Sequence, residues 1–419
     1  MSSQNRLAPA RSAQRISADL EALSQFREEH SPGWTRRAFS QPYIESRHWV
    51  AERMRDAGLH VERDAANNLI GTLPGQGPGP ALATGSHTDT VEGGGRFDGI
   101  IGVLAGIEVV RALRDAGIRL RHELRVIDFF NEEPNQYGVS CVGSRALVGG
   151  LTAEQLALDD GAGETLADGI RKVGGDPERV LDLAWHRGDL AAFVELHIEQ
   201  GPRLELSDLP LAVVTAIAGI DRYRLVFEGQ PDHAGATPMD VRRDALCAAA
   251  EVVLEIERLA EGTDGVATTG RLQIEPNAAN VVPGAAVATV ELRDADRRRL
   301  DDRGRRLMAA ARAAGESRGV QVTSEPLTTV DPVPADDTVQ QVLAAAADRL
   351  GLPHEAMFSG AGHDAAHMAA IAPIGMLFVP SAGGRSHCPD EWTDLDQVAV
   401  GARVLAQALL DLDASGGDR

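Results

Sequence analysis

Cysteine is scarce in this chain. Cys141, Cys247 and Cys388 stand far apart, with no CxxC pair and no disulfide-framework density, which suits a reducing cytosol. Positive charge is also in deficit. The 41 Lys and Arg residues face 62 Asp and Glu, giving a net charge of −21. That balance argues against a phosphate backbone or an anionic membrane as partner, and reads as a solubilising acidic surface. The N-terminal MSSQNRLAPARSAQR has arginines but no apolar core, so it is not expected to be a secretory signal. One uncharged stretch, 365–384, is long enough to question as a membrane span. It carries His367, Pro373 and Pro380 and closes on small residues, which predicts a helix end, a strand and a loop instead. Internal repeats and low-complexity tracts are lacking too. A cytoplasmic protein with no nucleic-acid or membrane partner is the expectation.

What is present is ordinary globular composition, 43% apolar and 25% charged. The 419 residues exceed what one hydrophobic core usually serves, so two domains are expected. The first dozen residues read as a tail, followed by amphipathic helices at 16–29 and 41–57. Up to about residue 211, apolar strands alternate with helices, as in a parallel α/β sheet. Four short apolar runs are each followed at once by polar residues: ALAT by GSHTDT, LRVIDFF by NEE, AAFVEL by HIEQG, and IGMLFV by the loop reaching SHCPDE. In open α/β sheets ligands sit beyond the carboxyl ends of strands. Four strand ends would thus deliver His, Asp and Glu to one edge. Within 212–331 the alternation stops: strands at 213–220, 223–229, 266–274, 286–292 and 320–324 accompany helices at 242–259 and 296–318. That suggests a two-layer α+β insertion, flanked by 1–211 and 332–419 of the larger domain.

Each motif has a functional and a plain reading. In GSHTDT, Asp89 can accept the second ring N–H of a ligating His87 and fix its tautomer; the plain reading is a capping Asp. Asp98, among the glycines of GGGRFDGI, can offer one oxygen to each of two ions; otherwise it is a helix N-cap. The spacing is neither GxxxxGK[ST] nor strand–GxGxxG–helix, so a nucleotide cradle is rejected. Glu132 and Glu133 follow a buried strand, where unpaired charge is costly; one can ligate while the other acts as general base. A solvated loop pair is their plain alternative. With His197 and His387 the set holds three imidazoles and two carboxylates, donors suited to Zn²⁺, Mn²⁺, Co²⁺ or Ni²⁺. Cys388 adjoins His387 but neighbouring side chains usually point apart.

In this order the motifs resemble the dinuclear zinc peptidase/amidohydrolase superfamily. Within it they resemble the hydantoinase/carbamoylase branch: N-carbamoyl-L-amino acid hydrolases, allantoate amidohydrolases, ureidoglycolate amidohydrolases and one type of β-ureidopropionase. GRFDGIIGVLAG, GSRAL, ELHIEQGP, HAGATPM, RRDAL, PNAANVVPG, GAGHDA and FVPSAGGRSH carry the likeness, from about Trp34 to beyond Trp392. It implies a metallopeptidase-like α/β sandwich with an inserted two-layer α+β lid and dimerisation domain. It further implies His87 and His197 on one metal, Glu133 and His387 on the other, Asp98 bridging and Glu132 as base. His233, Asn280 and Arg293 become substrate contacts, contributed across a homodimer, with Gln200 a weaker candidate. The residue types suit those roles: Arg293 offers a planar fork to a carboxylate, and His233 and Asn280 can donate to an oxyanion. A salt bridge with Glu291 or Asp294 is the plain reading of Arg293. Two divalent ions, Zn²⁺ first, and a small ureido substrate follow. Where many relatives often have Glu-Glu-Gly, this chain has Glu132-Glu133-Pro134, wording nearest ureidoglycolate-type and some unassigned bacterial members. An aminoacylase or dipeptidase, and a non-catalytic binding protein on a decayed scaffold, are the rival readings.

Overall fold

A computed structural model describes residues 9–415. They form two compact units. The first takes the described parts of Met1–Thr215 and His363–Arg419 together with Ala335–Met357; the second is Ala216–Pro334 with Phe358–Gly362. The sequence placed all of 332–419 in the first unit. The short piece Phe358–Gly362 goes with the second because its backbone is bonded there: the Ser359 carbonyl accepts from Ala218 N (2.8 Å) and the Gly360 carbonyl from Arg293 Nη1 (2.7 Å).

The first unit is α/β. Its sheet centres on four parallel strands, in spatial order Leu124–Phe129, Ala81–His87, Leu190–Ile198 and Ile374–Val379. Leu69–Leu73 and His60–Arg63 extend it antiparallel at one side. At the other, the first residues of Ala212–Ile217 pair antiparallel with Ile374–Val379. Strands Ala81–His87 and Ile374–Val379 are buried throughout, as sheets covered on both faces require. Alternation along Leu190–Ile198 sends Val194, Leu196 and Ile198 into the main core and turns Glu195 and His197 to the opposite face. Helices Gln41–Ala57, Ile100–Asp115, Asp337–Arg349 and Leu395–Ser415 complete that core. The helix Ile100–Asp115 lies close on the sheet. A Cβ at Gly102 would come within 2.5 Å of the Leu196 carbonyl oxygen, and one at Gly106 within 2.8 Å of Val126.

Two local expectations change. The first helix is Pro9–Leu23, not 16–29 after a tail; residues 1–8 of that expected tail lie outside the described residues. Long-range bonds set its register. Ser12 Oγ and Arg15 Nη2 donate to the buried Glu108 (2.7 and 2.6 Å), and the buried Arg36 takes the carbonyls of Leu23 and Phe26 (3.1 and 2.9 Å), ending the helix. The stretch 365–384 resolves into helix Asp364–Met368, strand Ile374–Val379 and a 3₁₀ turn Ala382–Gly384. Among the described residues no helix is long and apolar enough to cross a membrane.

The second unit is a two-layer α+β structure. Strands Gln321–Val330, Gly219–Glu228, Ala285–Asp294 and Val266–Glu275 form an antiparallel sheet in that order. Helices Ala245–Ala260 and Arg297–Arg318 pack on it through Leu225, Phe227, Val252, Val290, Leu292 and Leu307. The second helix is strongly charged yet stays seated, since its inward Arg303 pairs with buried Asp294 at 2.6 Å. A two-residue ribbon joins Asp232–His233 to Val281–Val282.

Candidate metal centre

His87 ends strand Ala81–His87 and His197 lies inside Leu190–Ile198, so both imidazoles ride on rigid strands. Asp98 precedes helix Ile100–Asp115, Glu132 and Glu133 follow strand Leu124–Phe129, and His387 follows the Ala382–Gly384 turn. All five ligand-type side chains converge. Asp98 Oδ1 is 3.1 Å from His197 Nε2 and 3.8 Å from His87 Nε2. Asp98 Oδ2 is 3.0 Å from His387 Nε2, which is 3.2 Å from Glu133 Oε1. Three donor groups result among the described residues: His87, Asp98 and His197; Asp98, Glu133 and His387; and, behind the first, Glu195, His197 and His363. Asp98 belongs to the first two, and Cys388 joins none.

The site fits metal. His87 Nδ1 faces the Asp89 carbonyl at 3.1 Å and His197 Nδ1 the Ile198 carbonyl at 2.9 Å. Donation from Nδ1–H to a carbonyl turns each Nε2 toward the shared carboxylate; the Gly99 amide also points at His197 Nε2 (3.1 Å), so an ion bound there would take the place of that contact. Gly99 (φ 68°) makes room for this, because a Cβ there would sit 2.2 Å from His87 Nε2. The glycine-rich turn therefore serves close packing against an imidazole. Gly99, not Asp98, is the helix N-cap. The electrostatics favour a cation. Hydrogen bonds to Asp98 and Glu133 raise His387 to about 11. Burial would raise Asp98, yet the bonds from His197 and His387 hold it well below the carboxylate range.

Glu132 and Glu133 are both buried, which removes the solvated-loop reading. Burial lifts Glu132 well above its ordinary range; Glu133 and Asp364 add to this while His87 opposes it. Its Oε2 is 3.8 Å from His87 Nε2, and the Cys141 thiol donates to its Oε1 at 3.4 Å. Asp89 acts differently from expectation. Its carboxylate is 3.6 Å from His87 Nδ1, too far for a hydrogen bond. It accepts instead from the backbone amides of Glu132 and Glu133 (3.2 and 3.1 Å). Asp89 thus holds both glutamates by their main chain, while its carbonyl orients His87. A cleft of about 530 Å³, lined in part by Asp89, Asn131, Glu133 and Gln136, opens beside them.

Other expected residues are placed with equal clarity. Gln200 donates its amide to Asp98 Oδ2 (2.7 Å), so it is engaged with the candidate bridging carboxylate. In the second unit, His233 Nδ1 accepts from Gly235 N and Ala236 N, both at 3.1 Å. That puts its proton on Nε2, an outward donor. Asn280 lies beside the His233 ribbon, its carbonyl accepting from Ala234 N (3.0 Å). Arg293 pairs with Glu291 (Nε–Oε1 2.7 Å) and donates Nη1 to Gly360 O (2.7 Å). The salt bridge of the plain reading is present, to Glu291 and through Nε.

Sequence reasoning missed a layer behind the ligands. Glu195 accepts from Ser86 Oγ (2.7 Å) and Ala365 N (3.2 Å); a carboxylate inside the apolar run AAFVEL was its signal. The His363 ring lies edge-on to that of His197, 4.5 Å between centroids. Asp364 accepts from Ser144 Oγ at 2.5 Å. Both come from GAGHDA, which carried a likeness but no assigned role. Ser386 and Glu391 surround Asp98 from the SHCPDE loop.

Comparison with known proteins gives the family. The model of peptidase family M20/M25/M40 matches residues 83–411. An N-carbamoyl-L-amino acid amidohydrolase of Geobacillus stearothermophilus is 39% identical over 401 residues, covering 95% of this chain and 98% of that protein. A ureidoglycolate hydrolase of Arabidopsis thaliana is 37% identical over 405 residues, covering 94% and 85%. A hydantoinase/carbamoylase-family amidase from Burkholderia multivorans superposes with TM-score 0.90 at 34% identity, over 96% of this chain and 98% of that one.

Proposed function

The chain belongs to peptidase family M20/M25/M40 and to its hydantoinase/carbamoylase amidohydrolases, and on that premise we propose that it hydrolyses the ureido C–N bond of an N-carbamoyl-L-amino acid or a related ureido acid, releasing ammonia and CO₂. One observation carries this reading: Asp98 is shared by two donor groups, with the buried Glu132 beside them. His87 and His197 would hold one ion with Asp98, and Glu133 and His387 the other. Zn²⁺ is the first choice, and Mn²⁺, Co²⁺ and Ni²⁺ suit the same donors. A bound pair supplies Lewis-acid polarisation of the ureido carbonyl and acidifies water. Glu132, with its raised proton affinity, takes a proton from the attacking water and returns it to the departing nitrogen. His233 Nε2–H and the Asn280 amide donate to the developing oxyanion, and Arg293 binds the substrate carboxylate. The protein works as a cytoplasmic homodimer in which these second-unit residues serve the partner's site.

Ureidoglycolate or allantoate is the second substrate reading, favoured by the likeness to the plant ureidoglycolate hydrolase. A screen decides. Protein loaded with Zn²⁺, Mn²⁺, Co²⁺ or Ni²⁺ is offered N-carbamoyl-L-amino acids, allantoate, ureidoglycolate, an N-acetylamino acid and a dipeptide, and ammonia is measured. Ammonia from a ureido acid is expected, with two ions per subunit about 3.5–4 Å apart by anomalous scattering. Cleavage of only the acetylated or peptide substrate would make it an aminoacylase or dipeptidase. Inertness at full metal occupancy would leave a binding protein.

A further inference from the structure

Glu391 lies outside all three donor groups, yet the residue is buried, 3% exposed. Burying a carboxylate is costly unless its lone pairs are filled. The four groups that fill them come from two loops. Oε1 accepts from Phe97 N (2.8 Å) and Asp98 N (3.1 Å). Oε2 accepts from His387 N (3.3 Å) and lies 2.9 Å from Ser386 Oγ, whose one proton is shared between Glu391 and Asp98. One loop carries the shared ligand Asp98 and the other carries His387. Ser386 Oγ is also 2.7 Å from Asp98 Oδ2, so the Glu391 contact helps set where that hydroxyl meets the shared carboxylate. Apolar packing follows the same seam: Trp392 meets Phe97 edge-to-face at 5.3 Å. The glycine-rich turn is shaped around it as well, since a Cβ at Gly95 would fall 2.2 Å from Glu391 Oε1.

We propose that Glu391 is a positioning residue of the metal pair, joining the Asp98 loop to the His387 loop so that their donors meet at the Asp98–Glu133–His387 ion. The proposal rests on the dinuclear reading above. A carboxylate meets the demand, because the three amides, two on one loop and one on the other, can only donate and it is acceptor-only. An amide would turn an NH₂ group toward one of the two loops. An aspartate is one methylene too short to reach both.

The test is Co²⁺ titration of metal-free protein, read by visible absorption and elemental analysis. Wild type, Glu391→Gln, Ser386→Ala and Asp413→Asn are compared. Asp413 is a matched control: a buried carboxylate that joins other main chain, accepting from Arg121 N (3.0 Å) and His122 N (2.9 Å). Wild type is expected to bind two equivalents. Glu391→Gln should keep one near wild-type affinity and bind the second about 10–100-fold more weakly, the usual scale for a lost outer-shell partner. Its second-site absorption band should change. Ser386→Ala, which removes one contact to Glu391 and one to Asp98, should move the same way by less; Glu391→Asp, made alongside and too short to reach both loops, serves if Glu391→Gln does not fold. Glu391→Gln should lower the thermal midpoint more with metal than without, whereas Asp413→Asn should lower both alike and leave Co²⁺ binding unchanged. Folded Glu391→Gln with wild-type Co²⁺ affinity and spectrum overturns the proposal while the dinuclear reading stands. A wild type that binds fewer than two ions overturns the dinuclear reading, and this proposal with it.

Discussion

Glu132 and Glu133 are neighbours with one shared anchor, the Asp89 carboxylate on their amides, but their side chains reach different groups. Glu133 touches His387, while Glu132 faces His87 and Cys141. Glu132→Gln should therefore lower turnover by about 10²–10⁴-fold, the scale of lost general-base catalysis, with metal content nearly unchanged. Glu133→Gln should instead weaken metal binding. Steady-state kinetics beside elemental analysis separates them, and equal metal loss in both variants would sink the assignment. The pairing of adjacent acids was legible in NEE, since a strand end makes two bare charges expensive. Asp89 was half legible. Its proximity to His87 follows from the sequence, but the choice between its carbonyl and its carboxylate is a matter of angles. Those are set by amides 43 and 44 residues away.

Helix Ile100–Asp115 shows how an element carries the site. It presses so closely on the sheet that Gly102 meets the carbonyl of Leu196, next to His197. Replacing Gly102 by Ala gains about 1 kcal/mol of helix propensity. Against this, overpacking costs about 1–3 kcal/mol, and a contact of 2.5 Å is with backbone, which cannot swing aside. Gly102→Ala is thus expected to lower the stability of metal-free protein in urea unfolding, net by up to about 2 kcal/mol. An unchanged or higher midpoint would mean the helix lifts freely from the sheet. The strands bearing His87 and His197 were readable as apolar runs with polar ends. The first helix was read, but not its ends, because Arg15–Glu108 and the carbonyl contacts of Arg36 set them across the chain. Helix Leu395–Ser415, which seals the core with Leu405 and Leu409, was absent from the sequence-derived elements.

For the whole molecule the proposal is a homodimer whose second units serve partner sites. Glu132→Gln and His233→Ala should each be inactive as homodimers. Mixed and reassociated, they should recover part of the activity, because one site of each heterodimer would hold neither lesion. Heterodimers verified by differential tagging that stay inactive would place His233 in its own subunit's chemistry, or in none. At this scale the sequence determined the α/β and α+β character of the two units and the residue types of the metal centre. Hydrophobic period and the cost of burying His, Asp and Glu are properties of short windows. Tertiary structure decided the rest: that Asp98 is shared by two groups, that Gly99 yields space to His87, that Phe358–Gly362 joins the second unit, and that Glu391 spans two loops. The Phe97 and Asp98 amides lie 294 and 293 residues from Glu391 along the chain. No local pattern encodes such a meeting; it exists only once the sheet has brought the strand ends together.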